Sequence, residues 1–258
     1  MATKVIAVAN QKGGVGKTTT AVNLAACVAA LGRRVLLFDL DPQANATSGV
    51  GLEKTEGASA YRVLLGEGSL LDKAKKTAFE NLEMIPSEVD LCGLDMELAR
   101  SENHLQRVTQ ALLPVTASQR YDFVLVDCPP SLGILTLNAF AAADGVLVPL
   151  QCEYYALEGI SMLNRTMSQL HDTGINPRLE LTGVVMTMYD GRTKLAQQVV
   201  GEVRDHFGEK VFETMIPRTT RLAEAPSFGK PIIHYDKYNA GAAAYELLAQ
   251  EFLARMDR

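Results

Sequence analysis

Short apolar runs alternate with longer amphipathic stretches along the chain, and this alternation predicts an α/β fold. Several runs are nearly uninterrupted and rich in β-branched residues, as in strands buried on both faces of a parallel sheet. We expect strands at residues 5–9, 35–38, 81–85, 121–126, 145–150, 181–188 and 211–216. The pattern predicts a mostly parallel, twisted β-sheet with helices on both faces.

Periodic apolar positions between these runs predict the helices. One helix follows the first strand and ends near Leu31, where Gly32 suits a helix stop. Between residues 44 and 68 we expect a loop and short helices, and a later helix reaches about residue 171. A helical region further on has one buried stripe, formed by Leu91, Leu94, Leu98, Leu105, Val108 and Leu112. The last helix, residues 241–256, has a stripe formed by Tyr245, Leu248, Phe252 and Met256.

Length and composition favour one domain. The 258 residues are 47% hydrophobic, which is enough for one sizeable core, and we find no internal repeat or linker. We therefore predict a single domain over residues 1–258, with no N-terminal DNA-binding extension. No apolar run approaches the ~18–20 residues that span a bilayer, so we expect a cytoplasmic protein.

The cysteines, histidines and net charge exclude several kinds of site. Neither residue type is clustered, and no Cys-x-x-Cys pair occurs, which argues against zinc and against a disulfide framework. We expect reduced thiols that are mostly buried: Cys27, Cys92, Cys128 and Cys152. The net charge of −5 predicts no general affinity for nucleic acid or membrane, so any such binding needs a local patch.

A glycine-rich turn joins the first strand to the first helix, which is the context of a phosphate-binding P-loop. Backbone N–H groups of Gly13, Gly14, Val15 and Gly16 can converge on phosphate oxygens. Lys17 would reach the β- and γ-phosphates, and Thr18 would ligate Mg²⁺, with Thr19 next in the nucleotide-binding stretch. The ordinary motif places glycine where Gln11 stands, and here a second lysine, Lys12, precedes the glycines.

Carboxylates follow two predicted strands at the sheet edge where α/β proteins bind ligands. Asp39 and Asp41 end the second strand, and Asp127 ends the strand at residues 121–126. Asp127 is at the Walker B position and is predicted to hold Mg²⁺ through water, with Asp41 a further candidate ligand through water. The alternative is that Asp127 caps a helix.

The stretch Lys-Gly-Gly-Val-Gly-Lys-Thr-Thr resembles the deviant Walker A loop of the ParA/MinD/nitrogenase-iron-protein group. Nearly end to end, the chain is similar to ParA/Soj-type chromosome-partition ATPases. The stretches that carry this resemblance are residues 11–20, 39–43, 127–131, 151–159 and 216–227.

The resemblance implies slow ATP hydrolysis coupled to dimerisation, with Lys12, Lys17 and Asp41 as catalytic residues. Lys12 of each protomer would reach the partner's nucleotide, and Asp41 would orient the attacking water. An aspartate is a weak base near neutral pH, since its ordinary pKa is about 4, so slow intrinsic turnover is expected. Pro217 and Thr219 would contact adenine, although the family pattern has Asn where Thr219 stands.

The family also implies partners for the ATP-bound homodimer: double-stranded DNA, bound without sequence preference, and a ParB-type centromere-binding protein that stimulates hydrolysis. We therefore expect a nucleoid-associated protein. The DNA-binding candidates are Arg192, Lys194, Arg218, Arg221 and Lys230. The alternative for each is an ordinary solvated charge.

Three other functions remain open on the sequence. A MinD-like membrane-cycling ATPase would need a basic amphipathic tail, but here Glu246, Glu251 and Asp257 offset Arg255 and Arg258. An electron-transfer protein would need two suitably placed cluster cysteines, and Cys128 directly follows Asp127 instead of lying further on. A small-molecule ligase of the same superfamily would need a substrate pocket that no cluster of residues indicates.

Overall fold

The computed structural model describes residues 2–98, 103–154 and 156–257. Its centre is a seven-stranded sheet in the order β3-β4-β2-β5-β1-β6-β7. The strands are β1 (Lys4–Val8), β2 (Val35–Asp39), β3 (Lys75–Lys76), β4 (Leu82–Ile85), β5 (Phe123–Asp127), β6 (Gly145–Gln151) and β7 (Glu180–Thr187). Only the edge strand β3 pairs antiparallel among these strands of the described chain. The predicted mostly parallel sheet is confirmed.

Helices cover both faces of the sheet. They are α1 (Lys17–Ala30), α2 (Asn45–Gly49), α3 (Tyr61–Leu64), α4 (Leu70–Lys73), α5 (Leu94–Leu98), α6 (Arg107–Ala117), α7 (Ile134–Ala142), α8 (Ala156–Asp172), α9 (Lys194–Phe207), α10 (Thr220–Glu224), α11 (Ile232–Tyr235) and α12 (Ala240–Met256). None of the helices in the described ranges is long and apolar enough to cross a membrane.

Alternation along the strands divides the core into two layers. Val5 and Ala7 of β1 face a cluster that includes residues of α6, α7, α8 and α9. Ile6 and Val8 face the opposite cluster, which includes α1 and α12. Successive side chains of a strand point to opposite faces, so a sheet covered on both sides requires apolar residues at every position.

The predicted strand at residues 211–216 is wrong. The segment runs beside β7 and makes only isolated ladder bonds with it, from Phe212 N to Val184 O (2.9 Å) and from Ile216 N to Met186 O (2.8 Å). Between them, the amides of Glu213 and Thr214 donate to the Glu251 carboxylate of α12. Phe212 and Ile216 are buried, so the apolar spacing of this segment resembles that of a strand. The backbone amides between them, however, donate to α12 and not to β7.

The helical region predicted around residues 91–112 is not one helix. A 3₁₀ turn at Val89–Gly93 leads into α5, and α6 begins at Arg107, while residues 99–102 lie outside the described chain. The predicted stripe is nonetheless buried at Leu91, Leu94, Leu98, Val108 and Leu112.

Of the cysteines, Cys27, Cys128 and Cys152 are buried and Cys92 is exposed, and all are free thiols, as expected.

Candidate active site

The carboxyl ends of three neighbouring strands form the base of the site. In the sheet register, Asp127 of β5 lies beside Asp39 of β2 on one side and beside Val8 of β1 on the other. The loop between β1 and α1 starts at this same edge. Parallel pairing thus brings together the carboxylates and the glycine-rich loop, which are far apart in sequence.

Long-range hydrogen bonds fix the conformation of the loop. The Asn10 side-chain amide donates to Pro149 O at the end of β6 (2.8 Å), and Lys12 N donates to Asn10 Oδ1 (3.0 Å). From β7, the Thr187 hydroxyl donates to Val15 O (2.8 Å). The loop also needs glycine, because the φ angles of Gly14 and Gly16 are 76° and 87°.

The amino end of α1 is open toward the loop. Its N-cap residue is Gly16, which makes no side-chain capping bond, and the first turn contains no acidic residue. At Gly13 and Gly14, a Cβ atom would meet no atom within 4 Å. The uncapped amides and the positive end of the helix dipole therefore lie next to open space, which is how helix termini bind anions.

Lys17 places a buried ammonium group at the same point. Its Nζ donates to Lys12 O (2.8 Å), and no carboxylate of the described residues lies within 4 Å of it. Burial lowers the pKa of Lys17, whereas the charges of Asp127 and Asp41 raise it. A buried cation with so little local compensation is suited to an anionic ligand such as phosphate.

Asp127 is fully buried, and neither carboxylate oxygen has a hydrogen-bond partner of normal geometry among the described residues. Burial raises its pKa well above the usual range; the charge of Asp39 adds to this, and the nearby Thr18 hydroxyl and Lys17 oppose it. Buried carboxylates are rarely left without partners, so these oxygens fit a hydrated Mg²⁺. The helix-cap alternative is wrong, because α7 begins only at Ile134, after Gly133 as N-cap.

Asp39 and Asp41 have different surroundings. Asp39 accepts hydrogen bonds from Thr47 N (2.8 Å), Thr47 Oγ1 (2.7 Å) and Asp41 N (3.2 Å), and burial raises its pKa to about 6. The Asp41 carboxylate accepts from Gln43 N (2.9 Å), and its backbone O accepts from Ser87 Oγ (2.6 Å). Asp39 therefore anchors the loop that presents Asp41. The sequence reading missed Thr47 and Ser87, which no motif marked.

Two adjoining cavities lie over the loop. The first, of about 330 Å³, is lined by Gly13, Gly14, Gly16, Lys17, Thr18, Thr19, Asp41, Gln43, Asn45, Pro130 and Met188. The second, of about 210 Å³, is lined by Gly16, Thr19, Thr187, Met188, Ile216, Pro217, Arg218, Thr219, Leu222, Ala223 and Tyr245. They share Gly16, Thr19 and Met188. The first contains the predicted phosphate contacts and the second the predicted adenine contacts, so together they fit a nucleotide.

Two features of the second cavity were not foreseen. Met188, which borders both cavities, adopts a φ of 50°, so the chain turns sharply directly after β7. Thr219 is the N-cap of α10, and its hydroxyl accepts from Leu222 N (3.2 Å). The adenine contacts of Pro217 and Thr219 stay predictions.

Lys12 lies at the rim of the site. Its exposed ammonium group forms a salt bridge with Glu153, which follows β6, and Glu153 also accepts from the Gln151 side chain. Lys12 does not line the 330 Å³ cavity of its own chain. The sequence gave no sign of this pairing, because 141 positions separate the two residues.

A family model described as an AAA domain matches residues 3–181. Chromosome partitioning protein ParA of Caulobacter vibrioides is 51% identical over 253 residues, covering 98% of this chain and 94% of that protein. Chromosome-partitioning ATPase Soj of Thermus thermophilus is 53% identical over 251 residues, covering 97% and 96%. The chain belongs to the ParA/Soj family of chromosome-partitioning ATPases. The sporulation initiation inhibitor protein Soj of Bacillus subtilis is also 50% identical, over 97% of this chain and 98% of that protein.

Solved structures show that this ParA/Soj chain has the expected P-loop fold. Cobyrinic acid a,c-diamide synthase from Mycobacterium smegmatis with bound ADP and magnesium has a TM-score of 0.85 and 36% identity, covering 99% of this chain and 96% of that one. The cell division ATPase MinD of Pyrococcus furiosus has a TM-score of 0.79 at 23% identity, covering 97% and 98%, a likeness in fold alone.

The five predicted DNA-binding residues are all exposed in this ParA/Soj chain. Arg192 pairs with Asp190 (2.7 Å), and Arg221 pairs with Glu224 (2.9 Å) and Asp236 (3.5 Å). Lys194 begins α9, Arg218 contacts the Met188 sulfur (3.7 Å), and Lys230 follows Gly229. Within the described residues, no hydrogen bond or ion pair joins these side chains into one cluster, so their role in DNA binding stays a prediction.

Proposed function

We propose that this partition ATPase is an ATP-driven switch for DNA segregation. ATP binding drives formation of a sandwich homodimer that binds DNA without sequence preference, and hydrolysis, stimulated by a ParB-type partner, releases the DNA. The observation that carries the proposal is the pair of adjoining cavities over the glycine-rich loop, because Lys17, Thr18 and Asp41 line the first of them. Membership of the ParA/Soj family supports the cellular role.

Each site residue has a chemical task in this proposal. The loop amides and Lys17 bind the phosphates, and Pro217 and Thr219 lie beside the base. Thr18 directly, and Asp127 and Asp41 through water, would hold Mg²⁺, which when bound neutralises charge on the transferred phosphoryl group. Asp41 orients the attacking water, because Asp41 lines the phosphate cavity whereas the Asp39 carboxylate accepts hydrogen bonds from Thr47.

Lys12 is the residue that makes the site depend on a second copy of the chain. Its salt bridge with Glu153 joins two half-exposed side chains, with 43% and 44% of their surfaces accessible. Exposed ion pairs contribute only ~0–1 kcal/mol, so Lys12 leaves Glu153 at little cost. In the dimer it neutralises phosphate charge on the partner's nucleotide, as an arginine finger does.

Lys12→Ala tests this arrangement. We expect the variant to bind ATP as a monomer, because Lys12 is outside the phosphate cavity, but to form no ATP-dependent dimer. Analytical ultracentrifugation with ATP and binding of a fluorescent ATP analogue separate the two properties. Lys75→Ala, which removes an exposed lysine of β3, is the control and should dimerise normally. Normal dimers of Lys12→Ala would exclude the proposed role.

The MinD-like alternative has less support from the fold. Tyr245, Leu248 and Phe252 of α12 are buried in the core, so the apolar stripe of the last helix is not offered to lipid. Co-sedimentation with anionic liposomes in the presence of ATP distinguishes the two functions, and we expect the protein to stay in the supernatant.

A further inference from the structure

The backbone of Asp41 is hydrogen-bonded on both sides of its Cα atom. Asp41 N donates to Asp39 Oδ1 (3.2 Å), and Asp41 O accepts from Ala44 N (2.9 Å) and from Ser87 Oγ (2.6 Å). A residue has two soft backbone dihedrals, and bonds to both flanking peptide groups restrict both of them. These dihedrals set the direction in which the side chain leaves the backbone. The bonds to Asp39, Ala44 and Ser87 therefore aim the Asp41 carboxylate.

Ser87 brings the neighbouring strand into this arrangement. It follows β4, which pairs with β2 as far as Phe38 and Ile85, so the chain beyond Ile85 lies beside the turn that carries Asp41. The serine is 1% exposed, and 46 positions separate it from Asp41. Water does not compete for a hydrogen bond buried in this way. The turn is thus positioned by the sheet as well as by its own residues.

Thr47 of α2 holds Ser87 in place. The Thr47 hydroxyl donates to Asp39 Oδ2 (2.7 Å) and accepts from Ser87 N (2.9 Å). A closed ring of hydrogen bonds therefore runs from Asp39 through Thr47 and Ser87 to Asp41 and back to Asp39. All four residues are at most 5% exposed. Hydrogen bonds in such a buried network strengthen one another, so the loss of one bond loosens the ring.

We propose that Ser87 and Thr47 are positioning residues for ATP hydrolysis, which hold Asp41 where it orients the attacking water. Neither residue lines the 330 Å³ phosphate cavity, so both act through Asp41 and not on the nucleotide. Their loss should slow hydrolysis and leave ATP affinity unchanged. The inference rests on the role of Asp41 in the proposed function, and it adds the two hydroxyl groups on which that role depends.

Ser59 provides a matched control for Ser87. It is 2% exposed, and its hydroxyl donates to Asp90 (2.9 Å) and accepts from Tyr61 N (3.1 Å). Like Ser87, it is a buried serine bonded to the segment that follows β4, but its hydroxyl bonds go to Asp90 and Tyr61 and not to Asp41. Replacement of either serine by alanine removes one buried hydroxyl, and only the change at Ser87 acts on the turn that carries Asp41.

The test compares single-turnover ATP hydrolysis with ATP affinity and the urea midpoint. Ser87→Ala should hydrolyse ATP about tenfold more slowly, because a misplacement of ~1 Å can cost ~100-fold and Asp41 O keeps its bond from Ala44 N. Its ATP affinity should match wild type. Ser59→Ala should keep the wild-type rate. Thr47→Val should also be slow, whereas Thr47→Ser keeps the hydroxyl and should restore the rate.

The Asp41→Ala background separates the inference from the function on which it rests. Ser87→Ala should slow Asp41→Ala no further, because its effect passes through Asp41. A second loss of equal size in that background overturns the positioning role, and so do equal losses for Ser87→Ala and Ser59→Ala. Ser87→Ala at the wild-type rate, with Asp41→Ala slow, overturns the inference alone. Asp41→Ala at the wild-type rate contradicts the proposed function itself.

Discussion

Three aspartates at one edge of the sheet have different hydrogen-bond partners, and we propose different roles for them on that ground. Asp39 accepts hydrogen bonds from Thr47 and from the backbone of Asp41, whereas Asp127 has no hydrogen-bond partner of normal geometry in the described chain. The backbone O of Asp41 accepts a hydrogen bond from Ser87, and Asp41 lines the phosphate cavity. Residue type alone does not distinguish a positioning group from a metal-binding or water-orienting one.

Asp41→Ala should abolish most ATP turnover without abolishing nucleotide binding. A positioned general base typically contributes about 10²–10⁴-fold, so we expect a loss of at least ~100-fold. The variant should accumulate as a dimer on DNA, since dimerisation needs ATP but release needs hydrolysis. Phosphate release and DNA retention measure the two effects. Turnover equal to wild type would remove Asp41 from the mechanism.

Thr187→Val tests how the loop is held. Valine has the shape of threonine but cannot donate to Val15 O, which loses a bond of 2.8 Å in a buried position. Leaving a buried acceptor without its partner costs about 1–3 kcal/mol, so both the urea midpoint and ATP affinity should fall. Thr187→Ser keeps the hydroxyl and should bind ATP nearly as wild type. Equal ATP affinity of the valine and serine variants would contradict this role of the hydroxyl.

At the scale of elements, α12 accepts backbone hydrogen bonds that the segment at residues 211–216 does not make with β7. The segment at residues 211–216 cannot form a full strand, because two of its amides point to Glu251 instead of to β7. Arg255 holds this carboxylate (2.8 Å), and its guanidinium carbon lies 3.8 Å from the Phe212 ring centroid. The last helix is thus attached by polar contacts as well as by its apolar stripe.

Glu251→Ala should destabilise the fold by about 2 kcal/mol, because two amides lose their acceptor. Urea unfolding measures this loss of stability, and Glu246→Ala on the exposed side of α12 should change the free energy of unfolding little.

Although burial raises the pKa of Glu251, the Glu213 and Thr214 amides and Arg255 hold it below its usual value. The stabilisation is therefore present above pH ~4 and lost as the pH falls through the lowered pKa. A difference between wild type and variant that did not shrink in acid would contradict this assignment.

At the scale of the whole molecule, sheet order decides which residues meet. The neighbours β2, β5 and β1 bring Asp39, Asp127 and the loop together, and β6 and β7 add the bonds that fix the loop. Segments distant in sequence also meet at the surface, where the 218–238 segment contacts α1 and the loop after α2. Direct contacts therefore connect the 218–238 segment to the helix that begins at the glycine-rich loop.

Replacing Arg192 and Arg221 together by Glu should abolish DNA retention but spare ATP-dependent dimers. Both arginines form ion pairs, but the Arg192 side chain is 90% exposed and pairs with one carboxylate, Asp190, whereas Arg221 pairs with two. We therefore expect most of the loss from Arg192→Glu alone. Electrophoretic mobility shifts with a short duplex measure retention. Unchanged DNA binding by the double variant would place the DNA-binding surface elsewhere.

The sequence by itself determined the fold class, most strand positions and the family. Apolar runs, a glycine turn ending in Lys17-Thr18 and carboxylates at strand ends are local signals, and each is encoded within a few neighbouring residues. The false strand at residues 211–216 shows the limit of such signals, because burial of Phe212 and Ile216 does not reveal where the backbone amides donate.

Only the tertiary structure decided which groups are paired. The contacts of Thr187 with Val15, of Lys12 with Glu153 and of Asn23 with Ile232 span 172, 141 and 209 positions. A hydrogen bond depends on distance and angle between atoms, and chain folding sets both, so no spacing in the sequence encodes these pairs. The same holds for Asp127, because a carboxylate lacks a partner only after everything around it has been placed.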